Sequence, residues 1–403
     1  MKNYDVVIVG GGASGLACAV VLAETPELKI LVIDSCDRLG KKLSATGNGQ
    51  GNISNEDMDL THYRSGSPEI VKSIIGNSQP SEKVFERIFG TLLYKHGSGG
   101  RIYPQSLQAS SLTDILIERL RGRGVDILLS TRVTSVERGF TVNCGNEKFS
   151  ARFVVLATGG KAQKQFGTDG SSYVLAENFG HKITPLYPSI VQLKTDTAYI
   201  KNLRGVRVDC LAKAVSKDDV EKSARGDVIF TDYGVSGNAV FYVSSVLAKK
   251  GGQLDLVFLP DFDEEVLKKV LMERKREGVY DCDLLCGLLH NQIARTVLRR
   301  AENEYITLFH DDLISAIVHV VKHFTLNVVG TLGFDYAQVT QGGVDMSDIS
   351  YSLESKLCEN LYFSGEILDV DGDCGGYNLH WAFMGAVAVA DSIKSKIYYN
   401  EKT

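Results

Sequence analysis

Three groups of residues have the type and spacing to do chemistry. The first is Gly10-Gly11-Gly12-Ala13-Ser14-Gly15, followed 24 residues after Gly10 by Asp34. Gly10 permits a tight turn, Gly12 lets backbone approach a pyrophosphate, and Gly15 lets a helix pack closely on a strand. A helix starting there turns free N–H groups and a positive dipole end toward phosphates. Asp34 can accept hydrogen bonds from ribose hydroxyls, and it would repel a 2′-phosphate. Three glycines alone can be just a turn. The added strand, helix and acid make this a dinucleotide site, though they do not separate NAD from FAD.

The second group is the run RLGKKLSATGNGQGN at 38–52. It is rich in small residues and N–H donors, with Lys41 and Lys42 available for phosphate charge. Such a segment can follow a long extended ligand from its pyrophosphate toward a ring system, through Ser35, Lys42, Ser44, Thr46, Gly47, Asn48, Gly49 and Asn52. A plain solvated loop is the alternative. The third group lies at the far end, LYFSGE at 361–366 and then DVDGDCGGYN at 369–378. Gly365 and Glu366 fall at the C-terminal edge of a strand, where ligands of parallel sheets bind. Glu366 can hydrogen-bond ribityl hydroxyls. A helix expected from about Leu379 to Ile393 would aim a second N-terminus, with Gly376, Tyr377 and Asn378, at a ligand. Its dipole suits the negative charge on N1–C2=O of a reduced flavin. Simple NAD domains do not need a distant strand that closes onto an N-terminal nucleotide site, so the pattern points to FAD.

These groups need elements to hold them. YDVVIV at 4–9 reads as a buried parallel strand, Leu16 to Ala23 as an apolar helix, and Lys29 to Ile33 as a second strand. VDILLSTRVTSVER at 125–138 reads as strand and hairpin. FVVLATGG then ends in Ala157, Thr158 and Gly159, which resembles the run that closes the FAD domain in two-dinucleotide-domain flavoproteins, and that resemblance implies that the backbone of Val133 touches the adenine. ITPLYPSIVQL at 183–193 reads as an exit strand. VRVDCLAKAV and DLVFLP read as barrel strands, and EEVLKKVLMERKREG, LLCGLLHNQIARTVLRRA and DLISAIVHVVKHF as helices.

The order GGGASG, GKKLSATGNGQGN, GRIYPQS, ATGGKA with FGTDG, FTDYGVSG, TQGGV and SGEILDVDGDCGGYN resembles the aminoacetone-oxidase/BaiN-type family of FAD-dependent oxidoreductases over almost the whole chain. The resemblance implies an α/β fold: a discontinuous Rossmann-like FAD-binding domain of the glutathione-reductase/succinate-dehydrogenase lineage, at 1–190 and 335–403. A β-barrel and helical substrate domain is inserted at 191–334. Gln50-Gly51 stands where family members commonly carry Arg-Cys, so a side-chain contact near the flavin is lost or replaced by backbone.

The expected activity is FAD-dependent oxidoreduction of a small molecule. It is either NAD(P)H-linked reduction of an activated double bond or oxidation of a small amine or alcohol. The alternative is a non-catalytic, redox-responsive flavin protein. An inserted domain over the flavin face would provide a substrate cleft, which favours the enzyme. A second GxGxxG unit is missing, so a stable NAD(P) domain is not expected, while a transient NAD(P)H visit stays open; a CxxC pair is missing too, which removes disulfide-reductase chemistry. Arg101 and Tyr103 in GRIYPQS can anchor an acidic or carbonyl group and supply a proton. Tyr377 can also donate, although a buried tyrosine that only hydrogen-bonds is the plainer reading. His380 reads as packing or capping, and Cys374 as a small buried residue rather than a redox thiol.

Composition agrees with a soluble globular protein: 403 residues, 44% apolar, 23% charged, net charge −5. Nothing in it suggests a nucleic-acid or membrane partner, and no export signal is visible, so a cytoplasmic location is expected. The eight cysteines read as reduced structural thiols. Cys282 and Cys286, placed on one helix face with only His290 nearby, fall short of a metal site.

Overall fold

The computed structural model describes residues 1–76, 81–217 and 219–400. The chain divides into two compact units, 1–186 with 339–403, and 187–338.

The first unit is built on a sheet whose order runs Val125–Leu128, Ile30–Ile33, Lys2–Val9, Glu147–Leu156, Thr141–Cys144, Ser135–Val136, with Leu361–Phe363 also paired to Glu147–Leu156. The five strands that matter for the site are parallel. Val9 lies beside Ile33 and Leu156, Ile33 beside Leu128, and Leu156 beside Phe363. Their carboxyl ends therefore form one edge, and Gly10, Asp34, Leu129, Ala157 and Ser364 all emerge from it. Val6, Val7 and Ile8 are fully buried, the mark of a strand covered on both faces. Each such side chain contributes about 1.5–3 kcal/mol relative to exposure.

The helix Ala13–Leu22 is apolar nearly all round, with Ser14 to Leu22 buried. It needs no polar face because it packs against the last helix, Tyr377–Asn400. That last helix begins two residues earlier than the sequence suggests and runs further. Gly375 and Gly376, at φ +148° and +102°, end the preceding loop there.

The second unit holds a closed barrel of the strands Leu193–Thr195, Gly234–Ser236, Asp219–Phe230, Arg207–Ser216, Gly252–Val257 and Phe324–Thr331. Alternation along Arg207–Ser216 sends Cys210, Ala212 and Ala214 inward. Helices Asn238–Lys250, Glu264–Arg276, Asn291–Arg300 and Leu313–Lys322 complete the unit.

Three expectations are corrected. The run 183–193 is not one strand: it breaks around Pro185 and again at Ile190, whose φ is +52°, leaving Tyr187–Ser189 and, further on, Leu193–Thr195. The strand that opens at Val125 ends at Leu128, and 129–134 is irregular before a short hairpin. Cys282 and Cys286 do not share a helix face. Cys282 lies in a 3-10 turn, Asp281–Leu285, that Cys286 ends, and the α-helix starts only at Asn291. His290 caps that helix, its Nδ1 accepting from the N–H of Gln292 at 3.3 Å. Among the described residues no cluster of His, Cys, Asp or Glu could hold a metal ion, and no helix is long and apolar enough to cross a membrane.

Candidate functional site

The site begins where the strand Lys2–Val9 runs out. Gly10 takes φ +108°, and a Cβ there would stand 2.4 Å from the carbonyl oxygen of Ala157. A Cβ on Gly15 would stand 1.9 Å from the Gly10 oxygen, so the helix packs against the turn only because residue 15 is glycine. Gly12 differs: a Cβ there meets no atom within 4 Å. Gly12 is the helix N-cap and no side chain caps it. The first-turn N–H groups of Ala13, Ser14 and Gly15 therefore lie behind open space.

Asp34 closes the turn from the next strand. One carboxylate oxygen accepts from the N–H of Gly11 at 2.6 Å and the other from the N–H of Cys36 at 2.7 Å. The carboxylate is thus oriented by backbone, with lone pairs left over. Ser35 beside it is exposed.

The small-residue segment is a kinked 3-10 stretch, Leu43–Gly49, in which Gly47 and Asn48 are consecutively left-handed. Its hydroxyls hold the loop together. Ser44 donates to the oxygen of Gly40 at 3.0 Å, and Thr46 to that of Leu43 at 2.7 Å. Gly49 faces open space, so this loop offers backbone rather than side chains. The departure at 50–51 has a steric reason. Gln50 is exposed, while Gly51 is buried at φ +75° with an ideal Cβ only 3.0 Å from Ala109 Cα and Leu112 Cδ1.

The two lysines do not stand free for phosphate. Lys41 pairs with Asp37 at 3.0 Å, and Lys42 Nζ lies 2.8 Å from Glu366 Oε2. Glu366 Oε1 accepts from the N–H of Thr340 at 2.8 Å. Thr340 Oγ1 in turn accepts from the N–H groups of Lys161 and Ala162, which fixes the segment after Ala157, Thr158 and Gly159. Sequence reading missed Thr340 because nothing local marks it.

Two acceptors on this rim are buried without a partner, Asn52 Oδ1 and Thr158 Oγ1. A Cβ on Gly376 would stand 2.7 Å from Asn52 Oδ1, so that orphan faces the start of the last helix. Uncapped helix N–H groups, an open backbone loop and orphaned acceptors along one sheet edge fit an extended dinucleotide. Val133, partly buried, lies against the same core beyond Leu128.

The C-terminal loop is fastened from an unexpected direction. Asn378 does not face outward: its Oδ1 accepts from the N–H of Gly372 at 2.9 Å and its Nδ2 donates to the Gly372 oxygen at 2.8 Å. Tyr377 is buried, stacked on His62 with centroids 4.4 Å apart at 18°, and edge-on to Tyr63. That packing makes its ring a wall of the loop. His380 is fully buried, with Nδ1 2.8 Å from Ser54 Oγ. Burial pushes its pKa down to about 4, so it is neutral.

Arg101 and Tyr103 share the strand Arg101–Pro104, two residues apart and therefore on one face. Arg101 Nη1 donates to the oxygen of Ser98 at 3.1 Å, and both side chains are partly exposed. Burial pushes the Tyr103 phenol up, Arg101 pulls it down, and Cys374 pushes it up again, so it stays protonated. Cys374 is thus a neighbour of Tyr103. Asn55 ties the two regions: its Nδ2 donates to the oxygens of Gly99 and Gly375, each at 3.0 Å.

A parallel sheet with its glycine turn, orienting acid and returning C-terminal strand at one edge defines a Rossmann-type flavoprotein of oxidoreductase class. The chain belongs to the family described as HI0933-like protein Rossmann domain, which matches residues 4–392. It is 34% identical to a 3-dehydro-bile acid delta(4,6)-reductase of Clostridium scindens, over 93% of this chain and 95% of that one. It is 28% identical to a ribosomal RNA dihydrouridine synthase of Haemophilus influenzae, over 98% of this chain and 99% of the other. A flavocytochrome c3 fumarate reductase shares the fold, with TM-score 0.52 at 15% identity over 98% of this chain and 78% of that one.

Proposed function

We propose that this protein uses FAD to reduce a carbon–carbon double bond conjugated to a carbonyl, on a small molecule, with NAD(P)H as transient electron donor. The observation that carries the reading is the pairing of an FAD-shaped cradle with a protonated phenol, Tyr103, beside a guanidinium, Arg101. The names of the two relatives describe one chemistry. Both a 3-keto steroid with adjacent ring unsaturation and a uracil ring present a C=C conjugated to C=O.

The N–H groups at Gly12, Ala13, Ser14 and Gly15 would hold the pyrophosphate, and Asp34 with Ser35 the adenosine ribose. Val133 and the Ala157–Gly159 backbone would flank the adenine side. The loop through Thr46, Gly47, Asn48, Gly49 and Asn52, the Gly365–Glu366 corner and the backbone of Gly376, Tyr377 and Asn378 would hold the ribityl chain and ring. When bound, flavin supplies the hydride that goes to the carbon β to the carbonyl. The chain must then polarise the carbonyl and give a proton to the α carbon. Arg101 suits the first task, since its donors favour an oxygen on which negative charge develops. Tyr103 suits the second, because its raised pKa keeps the proton in place until that charge builds. The negative net charge gives no footprint for tracking an RNA backbone, which favours a small substrate over RNA.

The test is anaerobic mixing with NADH and NADPH, followed by a 3-keto-4-ene steroid, free uridine and ribosomal RNA. Bleaching of the flavin by a nicotinamide and its return with the steroid supports the reading. Return only with RNA moves the substrate class. No bleaching, together with reduction by an amine or alcohol, overturns it.

A further inference from the structure

Residues 57–65 have no part in the cradle, yet they grip the loop that carries its C-terminal half. The strand Tyr63–Ser65 pairs antiparallel with Val370–Gly372, setting Arg64 opposite Asp371. Arg64 Nε donates to Asp371 Oδ2 at 2.8 Å, and Nη1 donates to Asp373 Oδ1 at 2.6 Å. His62 Nδ1 lies 3.1 Å from Asp373 Oδ2, and its Nε2 lies 3.1 Å from Asp57 Oδ2. The N–H of Asp373 donates to the oxygen of His62 at 2.9 Å, and Tyr63 Oη donates to that of Tyr377 at 3.2 Å. Three consecutive residues thus reach 370–373 and 377.

The charges explain why so tight a grip is needed. The Asp371 and Asp373 side chains are each 1% exposed, three residues or more ahead of a helix N-terminus. Two buried carboxylates repel one another, and burial alone would disfavour their ionisation. Burial also opposes charge on Arg64, but Asp371 and Asp373 outweigh it and raise its pKa. One guanidinium fork is therefore shared between two acids, a geometry that lysine cannot reproduce.

We propose that Arg64 and His62 are positioning residues of the flavin site. They hold the 369–376 loop and the start of the last helix in register, and Arg64 offsets carboxylate charge beside the place where a reduced flavin ring carries its own. The proposal rests on the FAD reading above. Removing Arg64 takes one positive charge away from the loop, which works against placing two electrons on a neighbouring ring. The reduction potential of the bound flavin would fall, and the loop would hold the ring less well.

The test compares wild-type protein with Arg64→Met, Arg64→Lys, His62→Phe and the charge-matched pair Arg64→Met with Asp371→Asn. The readouts are the FAD dissociation constant of deflavinated protein and the potential from dye equilibration. Arg64→Met is expected to weaken FAD by about tenfold and shift the potential negative, with the charge-matched pair recovering much of both. His62→Phe keeps the stack on Tyr377 but cuts both carboxylate contacts, and it is expected to shift the potential less in the same direction. Unchanged affinity and potential in Arg64→Met overturns the proposal. Should that variant not fold, the same result in both Arg64→Lys and His62→Phe overturns it. Failure of the FAD reading would look different: wild-type protein without FAD affinity, or a Gly12→Val variant that binds FAD normally.

Discussion

Lys42 and Glu366 stand 324 positions apart in the chain and meet in a 2.8 Å ion pair at the edge of the sheet. The pair joins the N-terminal loop to the returning C-terminal strand. About a fifth of each side chain is exposed, so the pair is neither a free surface bridge nor a fully desolvated one. Glu366 also takes the N–H of Thr340, so removing the carboxylate leaves two donors unanswered.

Glu366→Ala is therefore expected to lose roughly 1–3 kcal/mol of stability and to weaken FAD retention. Urea unfolding and the flavin-to-protein absorbance ratio after gel filtration check both. Glu366→Gln keeps the acceptor for Thr340 and is expected to fall between wild type and Ala. An Ala variant with full FAD and unchanged unfolding would remove Glu366 from the site.

Gly12→Val separates folding from binding. A Cβ at this position meets nothing within 4 Å and the residue has an ordinary φ of −82°. The variant is expected to unfold at the wild-type temperature yet purify without yellow colour, because the added methyls take the space a pyrophosphate would use. Gly15→Val is the contrast, since its Cβ would sit 1.9 Å from the Gly10 oxygen, and it is expected to destabilise the fold itself.

Tyr103→Phe is expected to leave flavin bleaching by the nicotinamide donor unchanged. It should slow flavin return with the unsaturated acceptor by about 10² or more, the usual worth of a positioned acid. Stopped-flow traces of the two half-reactions distinguish these effects. Equal slowing of both would mean that the substitution disturbs the flavin pocket, not the proton supply.

The glycine turn and Asp34 were legible because their geometry is local: strand, turn and helix are contiguous, Gly10 and Gly15 each answer a close backbone approach, and Gly12 leaves open space. What could not be read was pairing across the chain. The same lysine that looks free at 42 is matched by an acid at 366. The hydroxyls of Ser44 and Thr46 look available yet are spent within their own loop. His62 and Arg64 sit in THYRS, a stretch with no signature; only the strand pairing at Arg64–Asp371 gives them a role. The 282–290 stretch misled for a simpler reason. Its apolar residues have helical spacing, but Cys286 and Leu289 form an isolated bridge around the left-handed Gly287.

His380 should leave a mark on the pH dependence of stability. Its folded pKa is about 4, against about 6.5 for an unperturbed imidazole. Between these values the unfolded chain binds a proton that the folded chain refuses, so stability falls as pH drops through that window and is restored above it. A tenfold difference in proton affinity corresponds to about 1.4 kcal/mol, so the full effect is roughly 3 kcal/mol by pH near 4. Carboxylates also titrate in this range, so the informative quantity is a difference. Unfolding free energies of wild type and His380→Gln, measured from pH 7 to pH 4, are expected to diverge below pH 6.5, with wild type losing more. Gln can still reach Ser54, the partner of His380 Nδ1, so the neutral-pH stabilities should stay close. Parallel curves would mean that the buried ring is protonated in the folded protein, and Ser54 would then have to act as its acceptor.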